Sequence, residues 1–406
     1  MRSPSIGEEH DRLPALDGLR GIAVLLVMVY HFSSAWPFAD SLLDAAYARA
    51  SAVGWVGVDL FFVLSGFLIT GILYDSRERA GYFTSFYARR VLRIFPLYYA
   101  FVLLVLPLAA QLIAANPARV LAIFGASREW YLGYAVNFMV ALHGWKSTVL
   151  QTAHLWSLAV EEQFYLLWPP LVLLLSRRAL LRTSAALVVL ALLARVALRL
   201  GGAGEVPAYV LPFARMDALL LGAMVALAVR EMGSVAPLAR RAPRVLAASG
   251  MVAGVTLGAA PARVSWASPW VQTIGLTAIA VFFAALLVTA VAAPETSRWG
   301  RALRAPSLRT FGKYSYALYI FHPLVVAVLQ ATGWGADRFA ALGVGTQVGV
   351  HLMFTAFATL VSLGVAWLSW NLMEKHFLRL KHRFATRPKA AEPELAPVPA
   401  AAAPAL

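Results

Sequence analysis

The residues able to do acid–base or nucleophilic chemistry in this chain lie inside apolar runs. The first run, DGLRGIAVLLVMVYH, holds Arg20 and His31, eleven residues apart. A helix turns about 100° and rises about 1.5 Å per residue, so the two share one face, about 16 Å apart along the axis. A second run, GWVGVDLFFVLSGFLITGILY, holds Asp59. A third, HLWSLAVEEQFYLLW, holds His154, Glu161 and Tyr165 on one helical face, with Glu162 about 100° away. LPFARMDALLLG carries Arg215 and Asp217, and SYALYIFHP carries Tyr316, Tyr319 and His322 at a spacing of three. His351 and Asn371 are weaker signals of the same kind. Ionisable groups inside apolar segments are costly unless they face protein or water, so they are read first as functional groups. Histidine and carboxylates there suit general acid–base or nucleophilic catalysis. Each also has a plainer reading. His31 can hydrogen-bond a neighbouring helix, Asp59 can sit at the outer interface, and the tyrosines can be interfacial. Arg215 and Asp217 can be an internal ion pair or substrate contacts.

A different chemistry is written in FYARRVLRIFPLYY, which holds Arg89, Arg90 and Arg93. Arg90 and Arg93 fall one turn apart on a helix, and a guanidinium pair matches phosphate oxygens. The alternative is ordinary cytoplasmic positive charge. The chain has no cysteine, which excludes disulfides, thiolate metal sites and cysteine nucleophiles. It has no HExxH zinc motif, no GxSxG elbow and no nucleotide-phosphate loop, so no metal site is predicted.

The elements that must position these groups are membrane helices. The 406 residues are 60% hydrophobic and only 14% charged, with continuous and not alternating apolar runs. That pattern means an all-α, polytopic membrane bundle and not a barrel. Ten transmembrane helices are predicted, at about 17–36, 54–74, 94–114, 154–175, 183–200, 211–230, 245–260, 270–292, 314–332 and 345–371. Asp17 reads as the N-cap of the first, and Pro37 as its stop. The first run is too long for a cleavable signal. Residues 75–93 read as a polar stretch, and 121–142 as an interfacial or re-entrant segment.

The net charge of +15 invites a nucleic-acid reading, but the basic residues recur between apolar segments in alternate loops. Arg77, Arg79, Arg89, Arg90 and Arg93, then Arg177, Arg178 and Arg182, then Arg240, Arg241 and Arg244 stand on one side. The opposite loops hold only scattered ones such as Arg49, Arg119 and Lys146. The asymmetry follows the positive-inside rule, places both termini in the cytoplasm and excludes a nucleic-acid partner. Residues 1–16 form a cytoplasmic segment, 17–384 the membrane domain and 385–406 a disordered Ala/Pro-rich tail.

Five stretches together, LDGLRGIAVLLVMVYH, GVDLFFVLSGFLI, FYARRVLRIFPLYY, HLWSLAVEEQFYLLWP and SYALYIFHP, resemble in order and spacing the integral-membrane acyltransferase family three. The resemblance covers about residues 13–380. It implies a bacterial inner-membrane enzyme that O-acylates a glycan or other exported molecule, with acyl-CoA, by default acetyl-CoA, as co-substrate. It further implies that His31 is catalytic with Arg20 as its partner, and that Asp59 and Glu161 or Glu162 line the active site. Arg90 and Arg93, with Arg89 beside them, are implied to hold the acyl-CoA. Tyr165, His154, Arg215, Asp217, Tyr319 and His322 are the expected substrate contacts. Many family members carry a further C-terminal hydrolase-like domain, which is not expected here. The expected partners are the donor, a carbohydrate or secreted-metabolite acceptor and membrane lipid. An exopolysaccharide, a lipopolysaccharide sugar, a peptidoglycan unit and a secondary metabolite are all open as acceptors. In this reading His31 is a general base or a transient acyl carrier, with Asp59 or a glutamate orienting its ring. The main alternative is a proton-coupled secondary transporter, which also needs intramembrane His, Asp and Glu. No internal repeat of the kind transporters show is visible.

Overall fold

A computed structural model describes residues 14–34, 41–259, 265–341 and 346–384. Pro37 and the expected tail lie outside the described residues, as does most of the N-terminal segment. No strand occurs among the described residues. The helices are α1 (Pro14–Ser34), α2 (Leu42–Ala52), α3 (Gly57–Ser76), α4 (Tyr82–Ala100), α5 (Leu106–Ile113), α6 (Pro117–Leu132) and α7 (Val136–His143). They continue as α8 (Trp156–Leu174), α9 (Arg177–Leu200), α10 (Glu205–Val210), α11 (Pro212–Met232), α12 (Ala236–Gly258) and α13 (Leu276–Ala292). The last are α14 (Arg298–Leu303), α15 (Pro306–Ala331), α16 (Ala336–Ala340), α17 (Gln347–Ser369) and α18 (Lys375–Arg379).

Among the described residues, eight helical stretches are long and apolar enough to cross a membrane. The protein is therefore a polytopic helical membrane protein. The other two sequence spans, 154–175 and 245–260, are also helical, as α8 and the second half of α12. They fall short of the eight because Glu161 and Glu162 interrupt α8 and Arg240, Arg241 and Arg244 open α12. Segment 121–142 is broken between α6 and α7, and neither piece is among the eight.

Several boundaries differ from the sequence reading, and two of these shifts bear on candidate residues of the arginine cluster. Helix α1 starts at Pro14, not after Asp17. Proline suits a first helical turn because its missing N–H has no partner there anyway. Asp17 thus lies inside the helix, with Oδ1 3.5 Å from Arg20 Nη1. Helix α4 starts at Tyr82, so Arg89, Arg90 and Arg93 ride on a helix and not in a polar loop.

Within a membrane, helices associate through close packing more than through hydrophobic driving force. α1 packs most extensively on α15, and α3 on α11. A side-chain carbon on Gly66 would strike the Leu219 carbonyl, and one on Gly312 would strike that of Asp17. Glycine at these crossings brings the four helices to backbone contact. Beyond α11 lie α9, α13 and α12. The helix α8 is held in rotation by Gln163, whose Nε2 donates to the Tyr134 carbonyl and to Asn137 Oδ1, each at 3.0 Å. Pro170 removes the N–H that would bond the Leu166 carbonyl. Tyr87 Oη of α4 donates to that carbonyl at 2.9 Å and so ties α4 to α8.

Candidate active site

Three cavities follow one another between α1, α3, α4, α8 and α15. At the end of the bundle where α1 and α15 begin, a cavity of about 270 Å³ is lined by Asp17, Arg20, Arg90, Arg93, Lys313 and Glu374. The next, about 90 Å³, keeps Arg20, Arg90 and Arg93 and adds Ser65, Glu161, Glu162 and Tyr165. The third, about 480 Å³, holds His31, His154 and Lys146 within a wall of Tyr30, Trp55, Trp145, Trp156, Tyr209 and Trp266. The first two share Arg20, Arg90, Arg93 and Tyr316, and the last two share Val58 and Tyr319.

In the middle cavity Arg90 lies over the Tyr165 ring, 3.9 Å from its centroid, a geometry that stabilises a cation against a π face. Glu161 accepts a 2.6 Å hydrogen bond from Ser65 Oγ, which crosses from α3 to α8. Both Glu161 and Glu162 line this cavity, although helical spacing sets them about 100° apart. Arg89 lines none of the three cavities.

The histidines gather at the third cavity. His31 Nδ1 lies 2.9 Å from the Val27 carbonyl and 3.2 Å from His322 Nε2. His322 is fully buried, and its Nδ1 lies 2.9 Å from the Tyr319 carbonyl and 3.1 Å from that of Leu318. The His154 ring stands edge-on to His322 at 5.3 Å. His154 lies not in α8, as its spacing suggested, but in the 3-10 turn Thr152–Leu155 before it. That turn carries it away from Glu161 and into the cavity of His31. Tyr319 Oη is 2.6 Å from Ser157 Oγ and 3.1 Å from the His154 carbonyl, where the last two cavities meet. Among the described residues no group of three or more His, Asp or Glu side chains is placed to hold a metal ion.

Other candidate residues do not join this site. Asp59 Oδ1 accepts from Arg215 Nη2 at 2.8 Å, and both side chains are buried outside all three cavities. Asp217 pairs instead with Arg195 of α9 at 2.9 Å and accepts from Thr277 Oγ1 of α13 at 2.8 Å. Arg215 and Asp217 are thus each in an ion pair, but not with each other. Asp59 is engaged by Arg215, and the His31 ring meets the Val27 carbonyl and His322.

Sequence reasoning passed over Ser157, Glu374 and Arg195, and read Ser65 only as a small packing residue and Lys313 only as a cytoplasmic charge. It also passed over the aromatic wall, whose members come from six separate segments. Their signal was the high tryptophan count of 12, which reads equally well as an interfacial belt.

Fold and cavities together define a membrane protein with three neighbouring cavities between its helices, an arginine cluster at one end and a histidine cluster at the other. The chain belongs to the acyltransferase-3 family, whose model, an acyltransferase domain, matches residues 13–371. It is similar to the O-acetyltransferase OatA of Staphylococcus aureus (strain NCTC 8325 / PS 47), 29% identical over 330 residues, covering 78% of this chain and 51% of the relative. It is also similar to the peptidoglycan O-acetyltransferase OatA of Listeria monocytogenes, 28% identical over 338 residues, covering 79% of this chain and 51% of the relative. The chain thus spans about half the length of the curated relatives it matches. No solved structure matches it.

Proposed function

We propose that the chain is a membrane O-acyltransferase that moves an acyl group, acetyl by analogy with its relatives, from acyl-CoA to a hydroxyl of a carbohydrate. The observation that carries this reading is the order of the three neighbouring cavities. Arginine and lysine side chains stand at one end, a histidine at the other, and each cavity shares lining residues with the next. By the positive-inside rule the arginine end faces the cytoplasm and the histidine end faces outward, across a bacterial inner membrane. Arg20, Arg90, Arg93 and Lys313 offer charge-assisted hydrogen bonds to the phosphates of CoA. The pantetheine arm then runs along the middle cavity past Tyr165 and Glu161, and the thioester reaches Tyr319. The aromatic wall around His31 suits the CH faces of a sugar ring, and His154 and Lys146 supply polar contacts to its hydroxyls. A peptidoglycan sugar is one such acceptor, by the name of the Listeria relative.

In the transfer His31 Nε2 removes the proton of the acceptor hydroxyl as its oxygen attacks the thioester carbonyl. The C–S bond breaks, the ester forms, and the proton passes from the imidazolium to the departing CoA thiolate. The test is purified full-length protein in nanodiscs with labelled acetyl-CoA and a soluble glycan acceptor, wild type beside H31A. Labelled ester and CoA release by wild type alone support the reading. Label on the protein itself would replace general-base catalysis by an acyl-histidine route. Solute uptake without any acyl transfer would favour the transporter.

A further inference from the structure

We infer that His322 is a positioning residue. It holds the His31 imidazole with its proton on Nδ1 and its lone pair on Nε2, the part a buried carboxylate plays in a Ser-His-Asp triad. This rests on the acyl-transfer reading above, in which His31 is the base.

Donors and acceptors alternate along a chain of four atoms. Pro323 lies inside α15, where its ring nitrogen carries no hydrogen. The Tyr319 carbonyl, four residues earlier, therefore lacks its usual helical donor. His322 Nδ1 sits 2.9 Å from that carbonyl and 3.1 Å from the Leu318 carbonyl. Carbonyl oxygens only accept, so the hydrogen of the neutral His322 ring is on Nδ1 and its Nε2 is an acceptor. That Nε2 faces His31 Nδ1 at 3.2 Å, and the Val27 carbonyl faces the same Nδ1 at 2.9 Å. Two acceptors converge on one nitrogen, so His31 carries its hydrogen there. In the neutral ring the lone pair is then on Nε2.

The consequence is chemical. A histidine base must present its lone pair to the hydroxyl at the start of the reaction, and a ring free to exchange tautomers presents it only part of the time. When His31 Nε2 takes the proton, the positive ring donates from Nδ1 to the lone pair of His322, which strengthens that hydrogen bond. The helix itself supplies the anchor: removing one backbone donor at Pro323 frees the carbonyl that orients His322.

The test has two readouts. First, full-length protein with 15N-labelled histidine is examined in nanodiscs by nitrogen NMR, with His31 and His322 assigned from H31Q and H322Q. Both rings are expected neutral with the hydrogen on Nδ1 near neutral pH. A hydrogen on Nε2 of either ring would overturn the inference. Second, turnover with acetyl-CoA is compared in H322F, which keeps ring volume and loses the acceptor, and in H322Q, whose amide oxygen can accept from His31. H322F is expected to lower kcat by about 100-fold with the KM for acetyl-CoA unchanged, and H322Q to recover at least part of that loss. Wild-type kcat in H322F, or equal losses in both variants in folded protein, would overturn it. The spectra need no turnover, so failure of this inference and failure of the acyl-transfer reading are told apart.

Discussion

Two polar clusters are buried in this bundle, and they differ in what their groups are bonded to. In the cluster between α3, α9, α11 and α13, Asp59 is paired with Arg215, and Asp217 with Arg195 and Thr277. Arg195 Nη1 also donates to the Ala214 carbonyl. Charge is matched to charge there, and these side chains line none of the three cavities. In the cluster between α1, α4, α8 and α15, Arg20, Arg90, Glu161, His31 and His154 line cavities, and His322 is buried against His31. Both clusters read alike in sequence, as charged residues inside apolar helices. The lesson is that an intramembrane charge marks a site only when it borders space. A charge closed onto its counter-charge holds helices in register instead.

The largest effect that sharpens this contrast is expected at His31. H31A is expected to lose acyl transfer by about 1,000-fold while its thermal unfolding temperature stays near that of wild type. Activity assays beside a thermal melt in detergent check both halves. The paired cluster is expected to behave in the opposite way. Removing one partner, as in R215M, is expected to destabilise the fold by about 3 kcal/mol or more, because a buried carboxylate is left uncompensated. The double variant D59L/R215M is expected to regain most of that stability and most of the activity. If D59L/R215M folded well yet were as inactive as H31A, the division into site and scaffold would be wrong.

Smaller changes separate the two ends of the row of cavities. R90A and R93A are each expected to raise the KM for acetyl-CoA by about 10-fold, from loss of a charge-assisted hydrogen bond of about 1.5 kcal/mol. Their kcat is expected to fall much less, and equal losses in kcat would place these residues at the chemistry rather than at the donor. The smallest effect is expected in the aromatic wall. W145A or W266A is expected to weaken acceptor binding by about 3-fold to 10-fold, with donor KM unchanged, since one aromatic contact contributes about 0.5–1.5 kcal/mol. Initial rates over a matrix of both substrate concentrations read the two constants separately.

Much of this was legible in the sequence. The polytopic helical bundle follows from composition, and the polar residues that interrupt its helices are visible one by one. Arg90 and Arg93 are a turn apart by spacing alone, and the family could be read from five motifs in order. Some boundaries were not legible. A polar stretch ending in FYARR reads as a loop until tertiary contacts, such as Tyr87 to the Leu166 carbonyl, hold it as the start of α4. His154 looked like part of α8 because period alone cannot tell an α-helical turn from the 3-10 turn that holds it.

What the chain by itself determined is local. Lipid offers no hydrogen bonds, so each span must satisfy its own backbone as a helix, and that requirement is written residue by residue. The position of Pro323 directly after His322 is equally local, and it alone frees the carbonyl at Tyr319. What only the tertiary structure decided is which charges are neutralised and which border space. Asp59 meets Arg215 across 156 residues of chain, and His31 meets His322 across 291. No periodicity within one helix carries that information. It is fixed by glycine contacts that set how closely α1 approaches α15 and α3 approaches α11, and so by which side chains the packing leaves face to face.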